Sequence, residues 1–209
     1  EETRRRLGGL HSAKSIMLSV DFAEVEILQN QGRWDDAARL LAVAAKALEN
    51  GGADFMVLCT NTMHKVAADI QQYIDIPLLH IADATAQSIR QRGFRRVALL
   101  GTRFTMQEDF YRGRLVQTFG LDVLVPDTSE QIHINRVIYD ELCVGKILPE
   151  SKSVYLKIME NLLSRGAEGI ILGCTEIGLL VHQADSTVPL FDTTRIHAEA
   201  AVEFALKPE

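Results

Sequence analysis

Cys59, Cys143 and Cys174 are the only cysteines in 209 residues. They are too few and too widely spaced for a disulfide framework, and no C-x-x-C pair stands ready to hold a metal. A basic excess is lacking too. The net charge of -6 leaves no electrostatic footprint for nucleic acid. No apolar run approaches the roughly eighteen residues of a membrane span, and no secretory signal precedes the first apolar stretch. A reducing, cytoplasmic compartment is therefore the default expectation. Anionic substrates stay open, because local Arg residues and helix N-termini decide that rather than net charge. An initiator Met is absent as well. Glu1 to Arg6 reads as the back end of a helix closed by Gly8-Gly9, so a further strand–loop–helix unit of about twenty residues is expected upstream.

What is present is an ordinary globular composition, 47% hydrophobic and 24% charged, on a chain long enough to bury a real core. Two stretches are copies of each other, G-G-A-D-F-M-V-L-C-T-N-T-M-H at 51–64 and R-G-A-E-G-I-I-L-G-C-T-E-I-G at 165–178. Each opens on Gly-Ala-acid, continues in an apolar run and ends in a thiol or hydroxyl with small polar residues. Each is followed by an apolar-Pro-Leu strand. Such repetition reports architecture. It predicts two pseudo-symmetric α/β lobes with the active site in the cleft between them, residues 1–80 plus 192–209 forming one lobe and 81–191 the other.

Strands are expected over Ser15–Phe22, Phe55–Leu58, Leu78–Ile81, Val97–Leu100, Val123–Val125, Ile170–Leu172 and Leu190–Phe191. Helices are expected over Trp34–Leu48, Thr62–Tyr73, Asp83–Arg92, Gln131–Leu142, Ser151–Leu163 and 194–206, with a short one from Ile177 to Val181. A further helix is expected from Thr105, where Thr105-x-x-Glu108 has capping-box spacing, to Phe119. The alternation specifies parallel sheets flanked by helices, whose ligands bind beyond the carboxyl ends of the strands. Thr60, Thr102 and Cys174 all stand there.

Cys174 follows Ile170-Ile-Leu-Gly173 at an expected helix start, a setting that lowers a thiol's pKa; a small buried core residue is the other reading. Thr60-Asn61-Thr62 offers hydroxyls, an amide and backbone N–H groups, fit for cradling a carboxylate or simply for capping a helix. Cys59, one place earlier, reads as a strand end pointing into the core. His64 and His197 could each orient or protonate a neighbour, His197 by reaching Cys174. Arg103 sits in the Gly101-Thr102 turn, while Arg112 and Arg114 read as surface ion-pair partners and Cys143 as packing.

The pair T-N-T-M-H and G-C-T-E at matched strand ends, with I-H-A-E-A-A near the C-terminus, resembles the aspartate/glutamate racemase family along essentially the whole chain. S-V-D-F and D-F-Y-R-G-R-L are similar to its aspartate-racemase branch. The resemblance implies a cytoplasmic homodimer acting on a small amino acid without pyridoxal phosphate, other cofactor or metal, and without nucleic-acid or membrane partners. It implies two cysteines flanking the α-carbon, one removing the proton and the other returning one to the opposite face. Here the first is replaced. Aligned on the Gly-Ala pairs, Thr60 falls opposite Cys174, and a one-residue slip sends Cys59 to the other face of its strand. Threonine is too weak an acid to be the resting anion. The expectation is an asymmetric pair, Cys174 as base and Thr60 supplying the return proton, with L-aspartate or L-glutamate preferred. Asn61, Thr62, Thr102 and Thr175 are assigned to the substrate carboxylate, and Glu176 to the ammonium or to loop orientation. Alternatives are a one-cysteine relative, such as a malonate decarboxylase or maleate isomerase, and an inactive amino-acid-binding sensor.

Overall fold

The computed structural model describes residues 1–207 and divides into two compact units. The first holds Glu1–Leu58, Met63–His80 and the chain from Ala198 onward. The second holds the short turn Cys59–Thr62 together with Ile81–His197.

In the first unit, α1 (Glu2–Leu7) is followed by α2 (Phe22–Asn30) and α3 (Trp34–Asn50). Next come β1 (Met56–Val57), a 3-10 turn Thr62–Val66 that begins on the last residue of the Cys59–Thr62 turn, α4 (Ala67–Gln71) and β2 (Leu78–Leu79). β1 and β2 form a two-stranded parallel sheet. Val25, Leu41, Ala45, Met56, Leu58 and Ile70 make its core.

The strand expected over Ser15–Phe22 is not formed. That stretch is open chain, with Met17 89% exposed, and it pairs with neither β1 nor β2. A strand without a partner has no hydrogen bonds to hold it extended. Asp21 caps α2 instead, its carboxylate accepting from the Ala23 N–H at 3.1 Å, so the S-V-D-F stretch ends in a helix start. Cys59 is exposed rather than buried. The run from Met56 to Leu58 alternates between buried and half-buried positions, and Cys59 falls on the outward side.

The second unit begins its own sequence with α5 (Ile81–Gln91), β3 (Arg96–Gly101), α6 (Arg103–Gln107) and α7 (Arg114–Phe119). It continues with β4 (Asp122–Leu124), α8 (Thr128–Asp140), α9 (Pro149–Ser164) and β5 (Ile170–Gly173). A short α10 (Ile177–Leu180), β6 (Leu190–Asp192) and α11 (Thr193–Ala205) complete it, α11 running on into the first unit. The sheet order is β4-β3-β5-β6, all parallel. Strand alternation sends alternate side chains to opposite faces. Val97, Leu99 and Ile171 pack with Ile81, Ile89 and Leu115 from α5 and α7. Ala98, Leu100 and Leu172 pack with Ile134, Tyr155, Ile158 and Ile177 from α8, α9 and α10. Coverage on both faces explains why β3 and β5 read as unbroken apolar runs.

The helix expected from Thr105 starts earlier and is interrupted. Thr102 is the cap, its hydroxyl accepting from the Thr105 N–H at 3.3 Å. Asp109–Gly113 forms a π-helical turn between α6 and α7. The capping box lies on α8, where Asp127 and Glu130 satisfy each other's backbone N–H groups at 2.9 Å. Among the described residues no helix is long and apolar enough to cross a membrane.

Gly101 and Gly173 stand opposite each other in the β3–β5 register. A Cβ on Gly101 would lie 2.9 Å from the Gly173 carbonyl oxygen, and one on Gly173 would lie 2.7 Å from that of Leu100. Gly173→Ala is therefore expected to destabilise the fold by about 1–3 kcal/mol, lowering the midpoint of thermal unfolding by several degrees. Gly178→Ala places its methyl 3.7 Å from Asp192 Oδ2, an ordinary contact, and is expected to leave that midpoint nearly unchanged.

Candidate active site

The carboxyl ends of β3 and β5 lie side by side, and each strand ends in its glycine. The chain therefore leaves the sheet at two adjacent points without a side chain in between. β3 delivers Thr102 and β5 delivers Cys174. The turn Cys59–Thr62 belongs to the same unit, and the Thr62 hydroxyl lies 3.0 Å from that of Thr102. Thr102 in turn lies 3.2 Å from the Thr105 hydroxyl. All three are buried. Two of the residues singled out in the sequence, Thr62 and Thr102, are thus in direct contact.

Cys174 is 9% exposed, and its Sγ donates to Glu176 Oε2 at 3.0 Å. The same carboxylate oxygen accepts from the Thr175 hydroxyl at 2.7 Å. The expected lowering of the Cys174 pKa is overturned. Burial pushes the thiol well above its ordinary value, and the adjacent Glu176 charge and hydrogen bond push it further. The helix that was to lower it begins only at Ile177 and is four residues long, too short and too late to offset the carboxylate. The proton of the unliganded thiol is therefore held against a built-in acceptor. Thr175 and Glu176 are committed to this arrangement, so Glu176 faces the sulfur.

Asn61 is 3% exposed. Its side-chain Nδ2 donates to Thr193 Oγ1 at 3.0 Å, and Thr193 donates to the Leu172 carbonyl at 2.8 Å. Its Oδ1 is buried and has no hydrogen-bond partner. Thr193 escaped the sequence reading. Its one signal was a Thr-Thr pair opening the last helix, which reads as a capping pattern. Thr60 is half-buried on the same turn.

The histidines fall in different places. His64 lies in the 3-10 turn of the first unit and its ring sits 4.5 Å from that of His80. His197 is buried on α11. Arg114 reads as expected, paired with Asp83 through two nitrogens, one at 2.7 Å. Arg103 is exposed and lies over the Phe104 ring at 4.6 Å. Cys143 is half-buried against the core that holds Cys174. Burial raises its thiol to about 11, with the Glu176 charge adding to the effect.

The Asp/Glu/Hydantoin racemase family model matches residues 1–201. The chain belongs to that family. It is thereby an isomerase of the amino-acid racemase group. A Yersinia pestis protein described as a "putative Asp/Glu Racemase" is 52% identical, with a TM-score of 0.91 over 99% of this chain and 90% of that one. An aspartate racemase homologue from Pyrococcus horikoshii OT3 is 38% identical, with a TM-score of 0.82 over 99% and 90%. The broad specificity amino-acid racemase RacX of Bacillus subtilis is 26% identical over 168 residues, 80% of this chain and 72% of that protein. In this racemase-family protein the thiol, its acceptor and the buried hydroxyls share one sheet edge.

The Cys174–Glu176 contact has a consequence that chemistry can read. Replacing Glu176 by Gln removes the charge that disfavours the thiolate. At about pH 8, Glu176→Gln is expected to be alkylated at Cys174 by iodoacetamide at least about threefold faster than the parent protein, as followed by mass spectrometry. An unchanged or slower rate means the carboxylate does not govern the thiol.

Proposed function

We propose that the protein racemises acidic amino acids, aspartate or glutamate with the L-form preferred, using Cys174 as the base that removes the α-proton. The observation that carries the reading is the 3.0 Å contact from the Cys174 thiol to Glu176, in a chain of the racemase family. A thiol held protonated by its surroundings needs an acceptor before it can act. Glu176 takes the Sγ proton, the thiolate takes the substrate's α-proton, and the thiol is restored. Thr60, standing where the family resemblance calls for the second thiol, passes a proton to the opposite face, and the proton held on Glu176 is returned to it through water, which closes the cycle. Charge developing on the α-carboxylate is met by donors from the Thr62–Thr102 hydroxyl group and neighbouring backbone N–H groups.

The Yersinia pestis protein and the aspartate racemase homologue support an acidic substrate. The RacX likeness supports testing other amino acids beside it. A cytoplasmic homodimer without a cofactor completes this reading.

The test incubates the full-length protein in D2O with L-Asp, D-Asp, L-Glu and D-Glu separately, following α-proton loss by NMR and inversion by chiral chromatography. Solvent exchange at the α-carbon is expected to be faster from an L-form than from its D-form, inversion having the same kcat/KM in both directions because the equilibrium constant is one, with Cys174→Ala reducing exchange and inversion by about 10²–10⁴-fold. Glu176→Gln is expected to lower turnover although its thiol alkylates faster, because the acceptor is lost. Equal rates of α-proton exchange from both enantiomers would show that the Thr60 side is as competent a base as Cys174 and overturn the asymmetry. Binding without exchange would point to a sensor, and loss of CO2 from a malonate to a decarboxylase.

A further inference from the structure

We propose that Thr193 is a positioning residue that fixes the polarity of the Asn61 amide and so makes Asn61 an acceptor for the substrate's ammonium group rather than a donor to its carboxylate. This deepens the racemase reading and, for its ligand, rests on it.

The argument is one of donors and acceptors. The Leu172 main-chain oxygen can only accept. The Thr193 hydroxyl, 2.8 Å away, must therefore spend its single proton on that oxygen. Its oxygen then has only lone pairs to offer Asn61 at 3.0 Å. The amide has to present its NH2 to Thr193, which turns Oδ1 the other way. That oxygen is buried and has no partner. A buried amide oxygen without a hydrogen bond is costly, and rotating the amide would worsen matters by setting an oxygen against an oxygen. The chain Leu172–Thr193–Asn61 is thus a one-way wire from the end of β5, and it leaves a vacant acceptor beside the strand that carries Cys174. A cationic N–H donor fits an oxygen of this kind, whereas a carboxylate is repelled by it. The sequence expectation that Asn61 cradles the carboxylate is reversed by this polarity.

Two measurements separate this proposal from the activity on which it draws. Without any ligand, the Asn61 side-chain NH2 protons, assigned by ¹⁵N NMR, are expected to be protected from exchange in the parent protein and in Thr193→Ser. In Thr193→Val, which keeps the shape but loses the hydroxyl, that protection is expected to be lost. Free exchange in the parent protein overturns the proposal whatever the enzyme does. With ligands, calorimetry compares L-aspartate with succinate, which lacks the ammonium. Thr193→Val is expected to lose about tenfold or more in its preference for L-aspartate, while Thr193→Ser keeps it. Equal weakening of both ligands assigns Thr193 a merely structural role and overturns the proposal. If the parent protein binds no acidic amino acid but its Asn61 NH2 is protected, the choice of substrate fails while the amide polarity stands.

Discussion

The parallel pairing of β3 with β5, with glycine opposite glycine at its carboxyl end, is the constraint on which the rest of the second unit depends. Gly101 and Gly173 let two backbones come together where any Cβ would meet a carbonyl oxygen closer than 3.0 Å. The strands stay in register to their last residue, and the two exits fall side by side. Thr102 and Cys174 then emerge from neighbouring strand ends without being aimed there by any contact of their own. Both faces of the sheet at these strands are covered by buried apolar side chains.

On that edge the polar groups divide into two local systems. One is the thiol with its acceptor, Cys174, Thr175 and Glu176, formed by three consecutive residues. The other joins remote parts of the sequence, since Asn61 reaches Thr193 and Thr62 reaches Thr102. The first system sets an acceptor against the sulfur. Burial of Cys174 and a carboxylate beside it both favour the neutral thiol, the reverse of what a helix N-terminus does for a cysteine.

Local errors in the sequence reading have local physical causes. The Ser15–Phe22 segment has the composition of a strand, but strands form only where a neighbour completes the ladder, and neither β1 nor β2 pairs with this segment. Asp21 then acts as a helix cap. The Thr105–Glu108 spacing suits a capping box, yet Thr102, three residues earlier, takes the Thr105 N–H first. Cys174 was expected to be acidified by a helix that begins too late to act on it.

The sequence by itself determined the alternation of strands and helices, the two copied stretches and the family they resemble. These follow from periodicities and motifs of a few residues, which are local properties of the chain. It also singled out Cys174, Asn61, Thr62 and Thr102, because they stand at the carboxyl ends of parallel strands, where ligands bind. Only the tertiary structure decided what those groups face. That Glu176 raises the Cys174 thiol depends on burial and on a 3.0 Å contact. That Asn61 offers an oxygen depends on Thr193, 132 residues away. A hydrogen bond has direction, and direction is set by which atoms the fold brings together.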